Sequence, residues 1–294
     1  SHRTPTARGG GLAFVIAILG FVGLAGLAGW MPPEWALGLL VAGGSLAAIG
    51  WIDDKGHVSA PVRLAVHTAA AGVLTFALGP LWLTFLGIES RPLAYILSIG
   101  GVVWLINLVN FMDGIDGIAA SEASFVGLGL AVLLALAGHW EISAAFALVV
   151  AAAVMGFLVF NWPPASIFMG DVGSGFVGGM LAALVLITGR FGWSFAAATL
   201  ILLSVFLCDA TVTLVRRLLR RQAVWQAHRS HAYQRLSRRW RSHLRVTVAV
   251  LLVNLLYLLP LACAVASALI DPFTGIALAW LPIGGLVILA GAGL

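Results

Sequence analysis

Residues 91–137 read RPLAYILSIGGVVWLINLVNFMDGIDGIAASEASFVGLGLAVLLALA. Two apolar runs, Pro92–Val109 and Ile118–Ala137, flank the polar stretch Asn110–Gly117. Each run is long enough to cross the hydrocarbon core of a bilayer as a helix, which takes roughly 17–25 residues. The stretch between them is too short to be a domain. It predicts a tight polar connection at one membrane face, with both helices running away from it.

The rest of the chain repeats that pattern. Further spans are expected near Gly11–Gly29, Trp35–Ile52, Pro61–Gly79, Glu141–Phe160, Val172–Thr188, Trp193–Val215, Leu244–Ala266 and Thr274–Gly293, ten in all. The stretch Gly79–Ile88 is too short to span and is expected at the interface. Of 294 residues, 61% are hydrophobic and 9% charged, and the mean hydropathy is +1.06. The 27 charged side chains (16 basic and 11 acidic) could not cover a soluble domain of this length, whereas lipid solvates apolar side chains directly. The expected fold is an all-α polytopic transmembrane bundle forming a single domain over 1–294. The chain opens in a polar segment with no initiator methionine and no signal-peptide pattern, so a further segment is expected upstream of Ser1.

Ten of the 16 basic residues fall between Arg216 and Arg245. In a soluble protein such a block would suggest nucleic acid; in a chain this apolar it marks a cytoplasmic loop, and no nucleic-acid partner is expected. Alternation from that loop puts Ser1–Gly10, Asp53–Ala60, Asn110–Gly117 and Asn161–Asp171 on the same side. That face collects Asp53, Asp54, Asp113, Asp116, Asp171, His228 and His231. The opposite loops carry only Glu34, Glu89 and Asp271, with Glu141 at their edge. Cys208 and Cys263 lie in apolar stretches and imply no disulfide framework or metal cluster.

Three constellations carry the chemistry. In the first, Asn107, Asn110, Asp113 and Asp116 recur every third residue and would share one side of a helix end, while Gly114 and Gly117 free the backbone to approach a ligand. A plain polar cap is the bland alternative. In the second, Pro163 and Pro164 end one helix and Phe168–Ser174 opens the next. There Asp171 sits beside fresh backbone N–H groups that suit a metal-bridged phosphate or an ordinary N-cap. The third is His228-Arg229-Ser230-His231: arginine forks match phosphate oxygens, although a lipid-headgroup patch has the same composition. Asp53 and Asp54 close a helix, either as site residues or as solvated punctuation, and Arg63 is either a phosphate contact or a helix-end anchor. Glu122 and Asp209 fall inside spans near the same face and are read as supporting polar groups without a catalytic role.

If the five aspartates converge, each close pair repels by roughly 4 kcal/mol at about 4 Å and an effective dielectric near 20. A divalent cation is the natural offset. Hard oxygen donors without thiolates favour Mg2+, with Mn2+ as the alternative, over zinc.

These motifs resemble the polyprenyl-phosphate N-acetylhexosamine-1-phosphate transferases. The likeness covers essentially the whole chain, through Thr4–Gly11, Asp53-Asp54, Asn107–Gly117, Phe168–Ser174 and the histidine loop. It implies transfer of a sugar phosphate from a UDP-N-acetylhexosamine to undecaprenyl phosphate with release of UMP, at the cytoplasmic face of the bacterial inner membrane. By that likeness Asp171 is the main magnesium ligand with Asn110 beside it. Asp53 handles the lipid phosphate next to Asp54. Asp113 and Phe168 contact uracil; Arg63, Arg229, His228 and His231 hold phosphates and sugar; Asn107 and Asp116 complete the set. The separated histidines look more like enzymes that start O-antigen or related surface polysaccharides than like the muramoyl-pentapeptide enzymes of peptidoglycan synthesis, which remain the alternative. A homodimer is compatible with the resemblance. The rival from another class is a secondary transporter, which calls for ionisable groups near mid-bilayer and access from both faces.

Overall fold

A computed structural model describes residues 6–81, 87–222 and 229–292. His228, Thr4, Pro5 and part of the Gly79–Ile88 stretch lie outside the described residues. The helices run α1 (Gly11–Leu27), α2 (Pro33–Lys55), α3 (Ala60–Leu78), α4 (Arg91–Met112), α5 (Ile118–Leu136), α6 (Ile142–Asn161) and α7 (Asp171–Gly189). They continue as α8 (Trp193–Leu202), α9 (Ser204–Leu219), α10 (Ala232–Trp240), α11 (His243–Val253), α12 (Leu259–Ala266) and α13 (Pro272–Ala292). Among the described residues, eight helical segments are long and apolar enough to cross a membrane. The remaining two expected spans are the 17-residue α1 and a pair, α8 and α9, bent by 73°. The chain is a multi-pass helical bundle.

Three expected elements differ in detail. The span Trp193–Val215 breaks between α8 and α9, where the Ser204 hydroxyl bonds back to the Leu200 carbonyl at 3.1 Å and loosens the ladder. The span Leu244–Ala266 carries a π-helical turn, Asn254–Leu258, just ahead of Pro260. Proline has no N–H to give to the preceding turn, and the wider turn absorbs that loss. The basic segment Arg216–Arg245, expected as a loop, contains α10. Arg241, with φ of 50°, ends that helix in the left-handed region.

α7 is the axle of the bundle: every residue from Val172 to Thr188 is buried. It packs on α2 and α4, and most of α5 is buried as well. Lipid offers no hydrophobic drive between helices, so close backbone approach must do the packing. Gly50 of α2 lies directly on the first residue of α7, where an added Cβ would collide with the Asp171 carbonyl. On the outside, Leu27, Phe76, Leu136, Val159 and Leu281 are largely exposed, an apolar belt that only a bilayer would cover.

Candidate active site

Alternation of the helices brings the end of α2, the end of α4, the α6–α7 connection and the start of α11 to one end of the bundle. There they enclose a cavity of about 330 Å³ lined by Arg8, Asp54, Asn110, Asp113, Asp116, Asn161, Phe168, Asp171, Ser174 and His243, among others. Four of the five expected aspartates therefore meet. Asp53 is displaced to the side: it pairs with Arg63, accepts the Val58 N–H at 2.8 Å, and has the Asp171 carboxyl as its neighbour.

The centre is built on the N-terminus of α7. The Asp54 carboxylate takes both leading N–H groups, from Asp171 and Val172, at 3.0 Å each. The N–H groups expected to face a phosphate are thus already occupied, because α2 approaches α7 closely enough for its own terminal acid to cap it. Gly170 precedes the helix with φ of 75°, and a Cβ there would stand 2.5 Å from an Asp54 oxygen. From α4, the Asn110 amide donates to Asp171 Oδ1 at 2.7 Å and to Ser174 Oγ at 2.9 Å. Asn110, Asp171 and Ser174 thus form one polar unit on the cavity wall.

Around it, the N-terminal segment pairs with the α6–α7 connection. Phe168 donates its N–H to the Ala7 carbonyl at 2.8 Å, and Gly10 and Gly11 donate to Phe168 and Met169. This pairing sets Arg8 and Phe168 on the same wall. Asp116 is buried and pairs with His243 at 3.2 Å, and it accepts the Ala165 N–H at 3.1 Å. The Asn161 side chain accepts from Gly117 N–H at 3.0 Å and donates to the Ile167 carbonyl at 2.9 Å, joining the two loops. His243 and Asn161 were not singled out in the sequence. Asn161 opens the quoted loop, but His243 is 127 residues from Asp116 and carries no local signal.

Asn107, Arg63, Arg229 and His231 do not line this cavity. Asn107 lies one turn below Asn110 on α4 and faces His67 of α3 at 3.3 Å. Arg229 lines two neighbouring cavities, one of which shares Asp116 and His243 with the central one. His231 is buried beneath α10, 3.4 Å from Asp209 Oδ1 and stacked near Phe111 and Tyr233. Asp209, read from the sequence only as a supporting acid, also accepts the N–H groups of Ala232 and Tyr233 at 2.9 Å, so it anchors the start of α10. Tyr233 then reaches the Phe111 carbonyl at 2.9 Å.

Asp113, just beyond α4, is pushed up to about 8 by burial first, then by the negative charges of Asp171, Asp54 and Asp116. Four carboxyl groups lining one cavity form a donor set in favour of a bound cation. Among the described residues, no three Asp, Glu, His or Cys side chains group tightly enough to hold a metal by themselves. The fit is instead to an ion that takes one or two protein oxygens, here from Asp171 and Asn110, and fills its remaining positions with water and substrate phosphates. That is the habit of magnesium. A linked prediction follows. Without divalent ions the folded state binds a proton at Asp113 that the unfolded chain releases above about pH 4. Stability should therefore fall as pH rises from about 4 to about 8. Asp113→Asn should flatten that part of a melting-temperature profile in EDTA, and an unchanged slope would remove the assignment.

A polytopic helical bundle with an acid-lined polar cavity at one end of its helices defines a membrane-embedded class of protein. Residues 36–189 match the model of glycosyl transferase family 4. The chain belongs to that family. It is 30% identical over 266 residues to the probable undecaprenyl-phosphate N-acetylglucosaminyl 1-phosphate transferase of Bacillus subtilis, covering 87% of this chain and 72% of that protein. It is 32% identical over 289 residues to the decaprenyl-phosphate N-acetylglucosaminephosphotransferase of Mycobacterium tuberculosis, covering 85% and 70%. A phospho-N-acetylmuramoyl-pentapeptide-transferase of Lactiplantibacillus plantarum is 34% identical over 202 residues, covering 62% and 60%.

Proposed function

We propose that this protein transfers an N-acetylhexosamine-1-phosphate from a UDP-sugar to undecaprenyl phosphate, releasing UMP, with Mg2+ bound at Asp171 and Asn110. The step would begin surface-polysaccharide synthesis of the O-antigen type at the cytoplasmic face of the inner membrane. The observation that carries the reading is the Asn110–Asp171–Ser174 unit, set beside the capping Asp54 in a cavity that Asp113 and Asp116 also line.

In the proposed reaction an oxygen of the lipid phosphate attacks the sugar-bearing phosphorus of the donor. The bond from that phosphorus to the bridging oxygen breaks, and UMP leaves with the electron pair. Bound magnesium would neutralise the donor phosphates and the leaving oxygen. The chain's residues then supply alignment, the other large contribution to such a step. Asn110 holds the Asp171 carboxylate in one orientation. Arg8 places a positive charge on the cavity wall. The Arg63–Asp53 pair, beside Asp171 but outside the cavity, is placed to receive the lipid phosphate. Phe168 offers a face for the uracil ring, with Asp113 available for its polar edge. Arg229 and His228 are assigned to the donor's sugar end. His231 acts in this reading through α10 rather than by contact.

Two observations bear on the sugar and on the class. The relatives named for N-acetylglucosamine align with 85–87% of the chain, against 62% for the pentapeptide enzyme quoted above; this supports a donor without a peptide. A transporter would place its acids along a path through the bilayer, whereas these gather at helix ends. A panel of UDP-sugars supplied with undecaprenyl phosphate and Mg2+ tests the proposal. UMP is expected from a UDP-N-acetylhexosamine, only with the lipid phosphate present, and not in EDTA. Turnover of the muramoyl-pentapeptide donor alone would overturn the choice of sugar.

A further inference from the structure

A second polar cavity, of about 320 Å³, lies behind the α9–α10 wall and is lined by Thr213, Arg216, Arg217, Arg220, Arg229 and Arg235. Five arginines converge there, and among the described residues lining it there is no carboxylate. Arg216 stands within the field of Arg220 and Arg235. An anion with several acceptor oxygens fits such a cluster, since arginine forks match a phosphate group.

The surroundings say what kind of anion. On α9 the arginines alternate with Val215, Leu218 and Leu219, all exposed. The far wall is Val287 of α13, whose helix continues with exposed Leu286, Ile288 and Leu289. A ligand seated on the arginines would therefore lie with its other end against bare apolar helix. That combination fits an amphiphile and not a free nucleotide. The cavity is also separate from the acid-lined one. The two share no lining residue, although a third cavity meets the arginine cavity at Arg229 and the acid-lined one at Asp116 and His243.

We propose that the arginine cavity is a binding site for the phosphodiester headgroup of an anionic phospholipid, with the acyl chains lying along α9 and α13. The inference rests on Arg216 and Arg220, which have no part in the reaction proposed above, and not on Arg229, which also borders this cavity. Basic pockets between helices at a membrane edge commonly hold such headgroups, and here Arg216 and Arg220 are the decisive contacts.

The test is lipid retention, read by native mass spectrometry after reconstitution in phosphatidylglycerol or phosphatidylcholine nanodiscs and mild detergent release. The wild-type chain is expected to keep phosphatidylglycerol and not phosphatidylcholine. Arg216→Gln with Arg220→Gln should lower that retention about tenfold or more. Arg239→Gln with Arg245→Gln removes the same charge from exposed positions outside the cavity and should leave retention within about twofold. If the first pair does not fold, Arg220→Gln alone, at an exposed position, carries the comparison. Equal losses in both pairs would reduce the effect to general surface charge and overturn the site. Displacement of the lipid by millimolar inorganic phosphate would overturn the requirement for an acyl-bearing ligand. Equal retention of both lipids would overturn it as well. Sugar-phosphate transfer is not the readout, so failure here leaves the reaction reading intact.

Discussion

Changing Asp171 to Ala should reduce turnover by about a thousandfold or more. In the proposed reaction a divalent ion held there would contribute several kcal/mol to stabilising developing charge, and each 1.4 kcal/mol is a factor of about ten. The fold should survive, because the Asp171 side chain is half-buried and its contacts are few, chiefly the Asn110 amide at 2.7 Å and the neighbouring Asp53 carboxyl. It also sits among acids whose mutual repulsion its removal relieves. Expression, helical circular dichroism and thermal midpoint should therefore stay near wild type, while UMP release at saturating Mg2+ disappears. Asp171→Asn keeps the shape and one oxygen, and should recover little, since a neutral amide is a poor magnesium ligand. Full activity in either variant would remove Asp171 from the chemistry and leave it as an ordinary first-turn acid.

Asp54→Ala should produce the second large effect, by a different route. Asp54 accepts the first two N–H groups of α7, one of them from Asp171 itself. Losing such a cap costs about 1–2 kcal/mol, and the start of α7 then loses the restraint that aims Asp171 at Asn110. Both the thermal midpoint and the turnover should fall. Asp54→Asn separates capping from catalysis, because the amide keeps one acceptor for the cap while losing the charge. If Asp54 serves α7, the Asn variant should hold most of its stability and a measurable share of its turnover, with a raised requirement for Mg2+. An Asn variant as stable as wild type yet wholly inactive would make Asp54 a reacting group instead. Measuring both properties on each variant distinguishes the outcomes.

The bundle was legible because the bilayer imposes a length. An apolar run long enough to cross it is a helix whatever its neighbours do, since every backbone group must bond within the segment. The positions of the aspartates at helix ends followed from the same rule, and charge bias sorted the loops before any contact was known. Breaks inside spans were not legible. Ser204 and Pro260 are ordinary residues in apolar sequence, and whether a serine bonds backward or a proline is absorbed by a wider turn depends on what packs beside it.

Roles at the site divided in the same way. The sequence placed Asp54 and Asp171 on one face but could not tell that one caps the other, a contact spanning 117 positions that exists only because Gly50 lets α2 lie on α7. It grouped His231 with arginines expected to bind phosphate, whereas α10 turns that ring inward toward Asp209. His243 had no motif at all until the start of α11 met Asp116. By itself, then, the sequence determined that the chain is a bundle of apolar, membrane-length helices and which acids share an end. Tertiary structure alone decided which acids face the cavity and which serve the backbone, because those assignments rest on approach distances of a few ångströms between helices that no local pattern records.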